Sequence, residues 1–111
     1  MSVPAVNLRI DKDTHFEATF DLTNADGTVF SLVNYSADAR LRKHPTASSS
    51  TLFSTTITAA QGKIKISLNN SQTGLLKAGR HVYDVLITDG SGTVTKVFEG
   101  TAMVYDTVSH Y

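Results

Sequence analysis

The 111-residue sequence has no cysteine, no tryptophan, only two prolines and no net charge, ten Lys and Arg balancing ten Asp and Glu. Each shortage removes a class of function. Without cysteine there are no disulfides, no thiolate nucleophile and no Cys-ligated zinc. Without a charge excess, no long-range field draws the chain to nucleic acid or to an anionic membrane. The densest basic cluster is Arg40, Arg42 and Lys43. Five phenylalanines and four tyrosines are too few, and too scattered, for the stacking surface of a single-strand binder. No segment approaches the roughly 18 to 20 apolar residues of a membrane helix. The opening Met-Ser-Val-Pro-Ala-Val-Asn has neither the basic start nor the apolar run of a secretory signal. A soluble protein that is not exported by that route is expected.

What remains is alternation. At 41% hydrophobic, the chain has enough apolar material for one core, and its length fits a single domain over residues 1–111 with short extended termini. In residues 15–23, Phe16, Ala18, Phe20 and Leu22 fall on one face, and His15, Glu17, Thr19, Asp21 and Thr23 on the other. That is a strand with one dry and one wet side. The same period recurs over 6–10, 37–42 and 63–68, more weakly over 52–58, and again over 80–88 and 93–105. Turn residues fall between these runs: Asn24-Ala25-Asp26-Gly27, Pro45, and Asp89-Gly90-Ser91-Gly92 at hairpin spacing. Only residues 71–77 suggest a helix, about two turns long, capped by Asn70 or Ser71. The pattern predicts an all-β fold: an antiparallel immunoglobulin-like β-sandwich of about seven strands, with one short helical turn between the fifth and sixth. A small closed barrel is the alternative.

The stretch Ala78-Gly79-Arg80-His81-Val82-Tyr83-Asp84-Val85 places a histidine and an aspartate inside the sixth strand. His81 and Tyr83 share the inward face with Val85 and Ile87. In such sandwiches a tyrosine near the start of this strand pins the corner, and His81 stands in its place. Catalytic bases and metal ligands need converging partners, but His15, His44, His81 and His110 are isolated along the chain. His81 and Tyr83 are therefore assigned to the structural corner. Asp84 faces outward, where a neighbouring third strand would offer Asp38, Arg40 and Arg42, and the last strand Lys96 or Glu99. An Arg40–Asp84 or Arg42–Asp84 pair is expected across the strands. Arg40, Arg42, Asp84 and Lys96 form the candidate interaction surface. The terminal segments 3–10 and 105–111 are further candidates.

Other chemistry is missing. Asp11-Lys12-Asp13 begins like a calcium loop but lacks the glycine and closing glutamate that such a loop needs. There is no Gly-x-Ser-x-Gly elbow and no phosphate-cradling glycine motif. No enzyme, cofactor or metal site is expected.

Several segments carry a family resemblance. They are Phe16-Glu17-Ala18-Thr19-Phe20-Asp21-Leu22-Thr23-Asn24-Ala25-Asp26-Gly27-Thr28, Ala39-Arg40-Leu41-Arg42-Lys43, Gly62-Lys63-Ile64-Lys65-Ile66-Ser67-Leu68, and Thr73-Gly74-Leu75-Leu76-Lys77-Ala78-Gly79 running into Val82-Tyr83-Asp84-Val85. Asp89-Gly90-Ser91-Gly92-Thr93-Val94 and Glu99-Gly100 complete the set. Together they resemble the immunoglobulin-like domain of tailed-bacteriophage structural proteins, typified by the N-terminal domain of baseplate upper proteins, with small stand-alone relatives among phages of marine cyanobacteria. That family usually has tyrosine where His81 stands. Its members are often fused to fibre or receptor-binding segments, and no such segment is expected here. The resemblance implies a non-enzymatic virion protein in the tail or baseplate, or in the neck or as a capsid decoration. Its partners would be other virion proteins, with several copies per particle. The alternative is an adhesin that binds host-surface glycan through loops such as 44–51, near which Phe53 is the one aromatic residue.

Overall fold

The computed structural model describes residues 5–46 and 49–108. Val3, His110 and the ends of the candidate segments 3–10 and 105–111 lie outside the described residues, as do positions 47 and 48 of the loop 44–51. The strands are β1 (Leu8–Asp11), β2 (Phe16–Asp21), β3 (Ser36–Arg42), β4 (Thr51–Leu52), β5 (Ser54–Thr58), β6 (Lys63–Leu68), β7 (Gly79–Thr88) and β8 (Val94–Tyr105). A helical turn, α1 (Asn70–Gly74), joins β6 to β7. The fold is all-β, in two separate sheets. One has the order β1-β8-β7-β3-β4, the other β2-β6-β5. Pairing is antiparallel throughout, except that β1 runs parallel to β8, Leu8 opposite Ala102 and Asp11 opposite Tyr105.

The period-two residues meet between the sheets. Phe16, Phe20, Ile64, Ile66 and Leu68 from the smaller sheet bury against Ala39, Leu41, Tyr83, Val85, Ile87, Phe98, Ala102 and Val104 from the larger one. Aromatic rings bridge the layers, with Phe20 at 4.5 Å from Phe98 and 6.3 Å from Tyr83 between centroids. Phe53 sits 6.1 Å from Phe16 and 6.5 Å from Tyr83. Tilted and edge-on pairs of this kind add to simple burial.

The run 52–58, expected to be one strand, is divided. Thr51 and Leu52 pair with Leu41 and Arg40 in the larger sheet, while Ser54–Thr58 pairs with β6 in the smaller one. The change of sheet falls at Phe53, which is 2% exposed and whose amide donates to the Ala39 carbonyl at 2.9 Å. A large apolar residue at this point anchors the crossover in the core, so the strand's alternation continues while its partner changes. The helical turn also differs from expectation. Its cap is Asn69, which accepts from the Gln72 amide while the Gln72 side chain accepts from the Asn69 amide. It ends at Gly74, not at residue 77. Buried Thr73 then ties the turn to the loop after β1, its hydroxyl donating to the Thr14 carbonyl at 2.8 Å.

Phe53→Ala should therefore cost about 3 to 5 kcal/mol of stability, the range for removing a buried aromatic side chain. Urea unfolding would measure it. A loss below about 1 kcal/mol would mean that the crossover does not depend on this ring.

Candidate functional site

Strand β7 organises both faces of the larger sheet because it lies between β3 and β8. Its inward residues are His81, Tyr83, Val85 and Ile87, all buried. The His81 ring bonds the Lys77 carbonyl at 2.7 Å through Nε2. A carbonyl only accepts, so Nε2 carries the proton and donates. The bond fastens the start of β7 to the segment that leaves α1. Tyr83 reaches the other way. Its hydroxyl donates to the Val6 carbonyl at 2.6 Å, a bond between residues 77 positions apart. Burial pushes the Tyr83 phenol up to about 12.

Gly100 lies directly opposite Tyr83 in the β7–β8 register. A Cβ there would overlap the Val6 carbonyl. The missing side chain is what lets the N-terminal backbone settle on β8, where the Val6 amide donates to the Glu99 carbonyl at 2.9 Å. Tyr83, Gly100 and Val6 thus form one lock, of which only the tyrosine stood out in the sequence.

The outward face carries the charges. Arg40, Asp84 and Glu99 form one cross-strand row through β3, β7 and β8. Arg40 stands opposite Asp84 as the alternation implied, but its guanidinium is held by Asp38 on its own strand, Nε to Oδ1 at 3.1 Å. Asp84 and Glu99 are like charges face to face, an arrangement that costs stability unless a cation intervenes. Lys96 supplies it, 3.7 Å from Asp84 and 3.4 Å from Glu99.

That bridge depends on a bulge. Val85 pairs with Phe98 and Leu86 with Lys96, so Val97 is the extra residue in β8. In a regular strand, residues three apart face opposite sides. The bulge places Lys96 and Glu99 together, so the outward positions that the sequence offered as alternatives are both used. The adjacent Val97 and Phe98, where strict alternation breaks, were the available signal.

These charges line a groove of about 550 Å³ on the outer face, walled by Arg40, Arg42, Arg80, Lys96, Asp84 and Glu99. Arg80 and Glu99 were not singled out from the sequence as members of this surface, although Arg80 shares the phase of Val82 and Asp84. No family model matches the chain, and no curated protein is similar enough to match. The surface must be read from its own chemistry.

The remaining candidates stand apart from the groove. His15 bonds Glu17 at 3.2 Å, which, ahead of nearby Lys65, holds the Glu17 carboxyl below the usual carboxylate range. His44 bonds the Thr46 hydroxyl at 3.1 Å. Asp11 pairs with Arg9 at 3.2 Å, and Asp13 occupies a turn at φ 66°. Among the described residues, no three or more His, Asp or Glu side chains gather as a metal-ligand set. Phe53 is interior, so it presents no ring beside the loop 44–51. Asp89 builds the β7–β8 turn. Ser91 and the Thr93 amide hold its carboxyl below the usual range, and Oδ1 accepts from the Ser91 amide at 2.9 Å and the Thr93 amide at 3.0 Å.

Tyr83→Phe should lower stability by about 1 kcal/mol at neutral pH, the usual net value of one hydrogen bond. The phenol's folded value, about 12, lies above its ordinary 10.0, so its contribution is complete below pH 10 and is lost as pH rises through 12. Unfolding curves across that window should therefore fall more steeply for the native protein than for Tyr83→Phe. Parallel curves would show that the phenol is not held in its neutral form. Gly100→Ala should cost about 1 to 3 kcal/mol through overpacking and speed hydrogen exchange at the Val6 amide. A neutral substitution would place the N-terminal segment elsewhere.

Proposed function

We propose that this chain is a non-enzymatic structural protein of a tailed-bacteriophage virion, an immunoglobulin-like sandwich that works by docking on other virion proteins. The strand order supports the fold reading. A three-strand core of β3, β7 and β8 faces a sheet of β2, β6 and β5, with β1 added at one edge and the crossover at Phe53 at the other. The hydrogen bond from His81 to the chain upstream supports it as well, since a histidine takes over the corner role that such domains give to tyrosine.

The observation that carries the functional reading is the outer face of the larger sheet. It holds a dense, mixed-charge groove, whereas every buried side-chain nitrogen and oxygen among the described residues has a hydrogen-bond partner. Edge strands offer a second mode of contact, because an unpaired edge can accept a strand from a neighbour. Repeated copies on a symmetric particle fit both modes. The tail or baseplate is the favoured location, ahead of the neck or a capsid decoration.

An antibody against the chain, applied to intact particles and viewed by negative stain, should label a defined and repeated position. Infective particles that carry no label would contradict the virion role.

A further inference from the structure

We propose that the seat on β8 accepts residues 5–12 of a second copy of this chain, so that two chains exchange β1 reciprocally. This goes beyond the virion reading and does not rest on it, because it depends only on how β1 is held.

The bonds that hold this segment are the same whichever copy supplies it. The Val6 amide donates to the Glu99 carbonyl, and the Val6 carbonyl accepts from the Tyr83 hydroxyl. Asn7 accepts from the Thr101 hydroxyl at 2.8 Å, and Leu8–Asp11 lies in parallel register on β8. Lys12 completes the seat. Its amide donates to the Tyr105 carbonyl at 3.0 Å, and its carbonyl accepts from the Thr107 hydroxyl at 2.6 Å. All these partners stand on β7, on β8 or just after it. Val6, Leu8 and fully buried Ile10 pack on the core, so an empty seat would open apolar surface to water. The seat is already matched to one sequence, with the gap at Gly100 against Val6 and apolar positions at 6, 8 and 10. A second copy carries that sequence.

The connection from β1 to the rest of the chain favours exchange. Residues 12–15 alone carry the chain from β1 in the larger sheet to β2 in the smaller one. Lys12 is fixed on the seat, and Thr14 is fixed on the other side, its carbonyl accepting from the Thr73 hydroxyl at 2.8 Å. Asp13 stands between these anchors with φ 66°. Aspartate enters this left-handed region more readily than most residues, but only glycine does so without steric cost. Short hinges under strain invite strand exchange, because an extended hinge sends the same strand into a neighbour's seat. Exchange gives up one local bond, from the Thr14 hydroxyl to the Asp11 carbonyl at 2.7 Å. It relaxes Asp13 in both chains, and a reciprocal pair closes with twofold symmetry and leaves no seat empty.

The test uses the full chain, unfolded in urea, mixed and refolded at rising concentration. Because the sequence has no cysteine, an introduced disulfide reports which copy fills the seat. Arg9 and Met103 are exposed and directly opposite each other, at a spacing that a disulfide can bridge. A chain carrying only Arg9→Cys and one carrying only Met103→Cys should refold into a pair joined between positions 9 and 103. Proteolysis and mass spectrometry would identify that link. Replacing the second chain with Thr56→Cys, exposed on β5, should give no comparable link to position 9. Asp13→Gly removes the strain at the hinge, so it should raise the dissociation constant of the pair on the order of tenfold by analytical ultracentrifugation. Melting curves would show that this variant is folded. The inference is overturned if the 9–103 link is absent at every concentration, if Thr56→Cys links equally well, or if Asp13→Gly pairs as tightly as the native chain.

Discussion

The hydrogen bond from Tyr83 to the Val6 carbonyl ties the N-terminal segment at one edge of the larger sheet to the strand at its centre. Tyr83 stands in the strand at the middle of that sheet, its ring touches both Phe20 and Phe53, and its hydroxyl holds the N-terminal segment beside β8. One side chain thus links the two layers and the edge strand. The arrangement requires an empty position opposite, which Gly100 provides. It also requires the phenol to stay protonated, and burial in the core ensures that. The exposed ion pairs on the outer faces are worth about 0 to 1 kcal/mol each.

Fixing β7 from the inside leaves its outward side chains to line the groove. The same strand that packs Tyr83 inward presents Arg80, Val82 and Asp84 outward, and the bulge at Val97 brings Lys96 and Glu99 to the same side. The core sets the position of the charges, and the charges set what can approach. A partner would meet side chains held on a hydrogen-bonded sheet and not on loops, which limits the ordering cost of binding.

Much of this was legible in the sequence because period-two alternation is a strong signal when one face is dry. The strand segments around Phe16, Leu41, Ile64 and Val85 follow directly from it, as do the inward placement of Tyr83 and the outward placement of Asp84. Three features were not legible, each for a physical reason. The crossover at Phe53 leaves alternation intact while changing the hydrogen-bonding partner, and partners leave no mark on a single strand's pattern. The parallel seating of β1 on β8 is a contact between the two ends of the chain, and it turns on a glycine whose role is to be absent. The ion pairs of Arg40 and Asp84 were misassigned because register fixes which backbones face each other, whereas long side chains also choose between neighbours along and across strands.

In the proposed virion role, the outer face of the larger sheet is the one covered by partner proteins. Lysine-reactive labelling followed by mass spectrometry tests it directly, comparing free protein with particles. Lys96 on that face and Lys63 and Lys65 on the smaller sheet have nearly equal exposure in the isolated chain, at 42%, 42% and 44%. The account predicts that Lys96 is protected in the particle while Lys63 and Lys65 stay reactive. Protection of Lys63 and Lys65 with Lys96 still open would contradict it and assign docking to the opposite sheet.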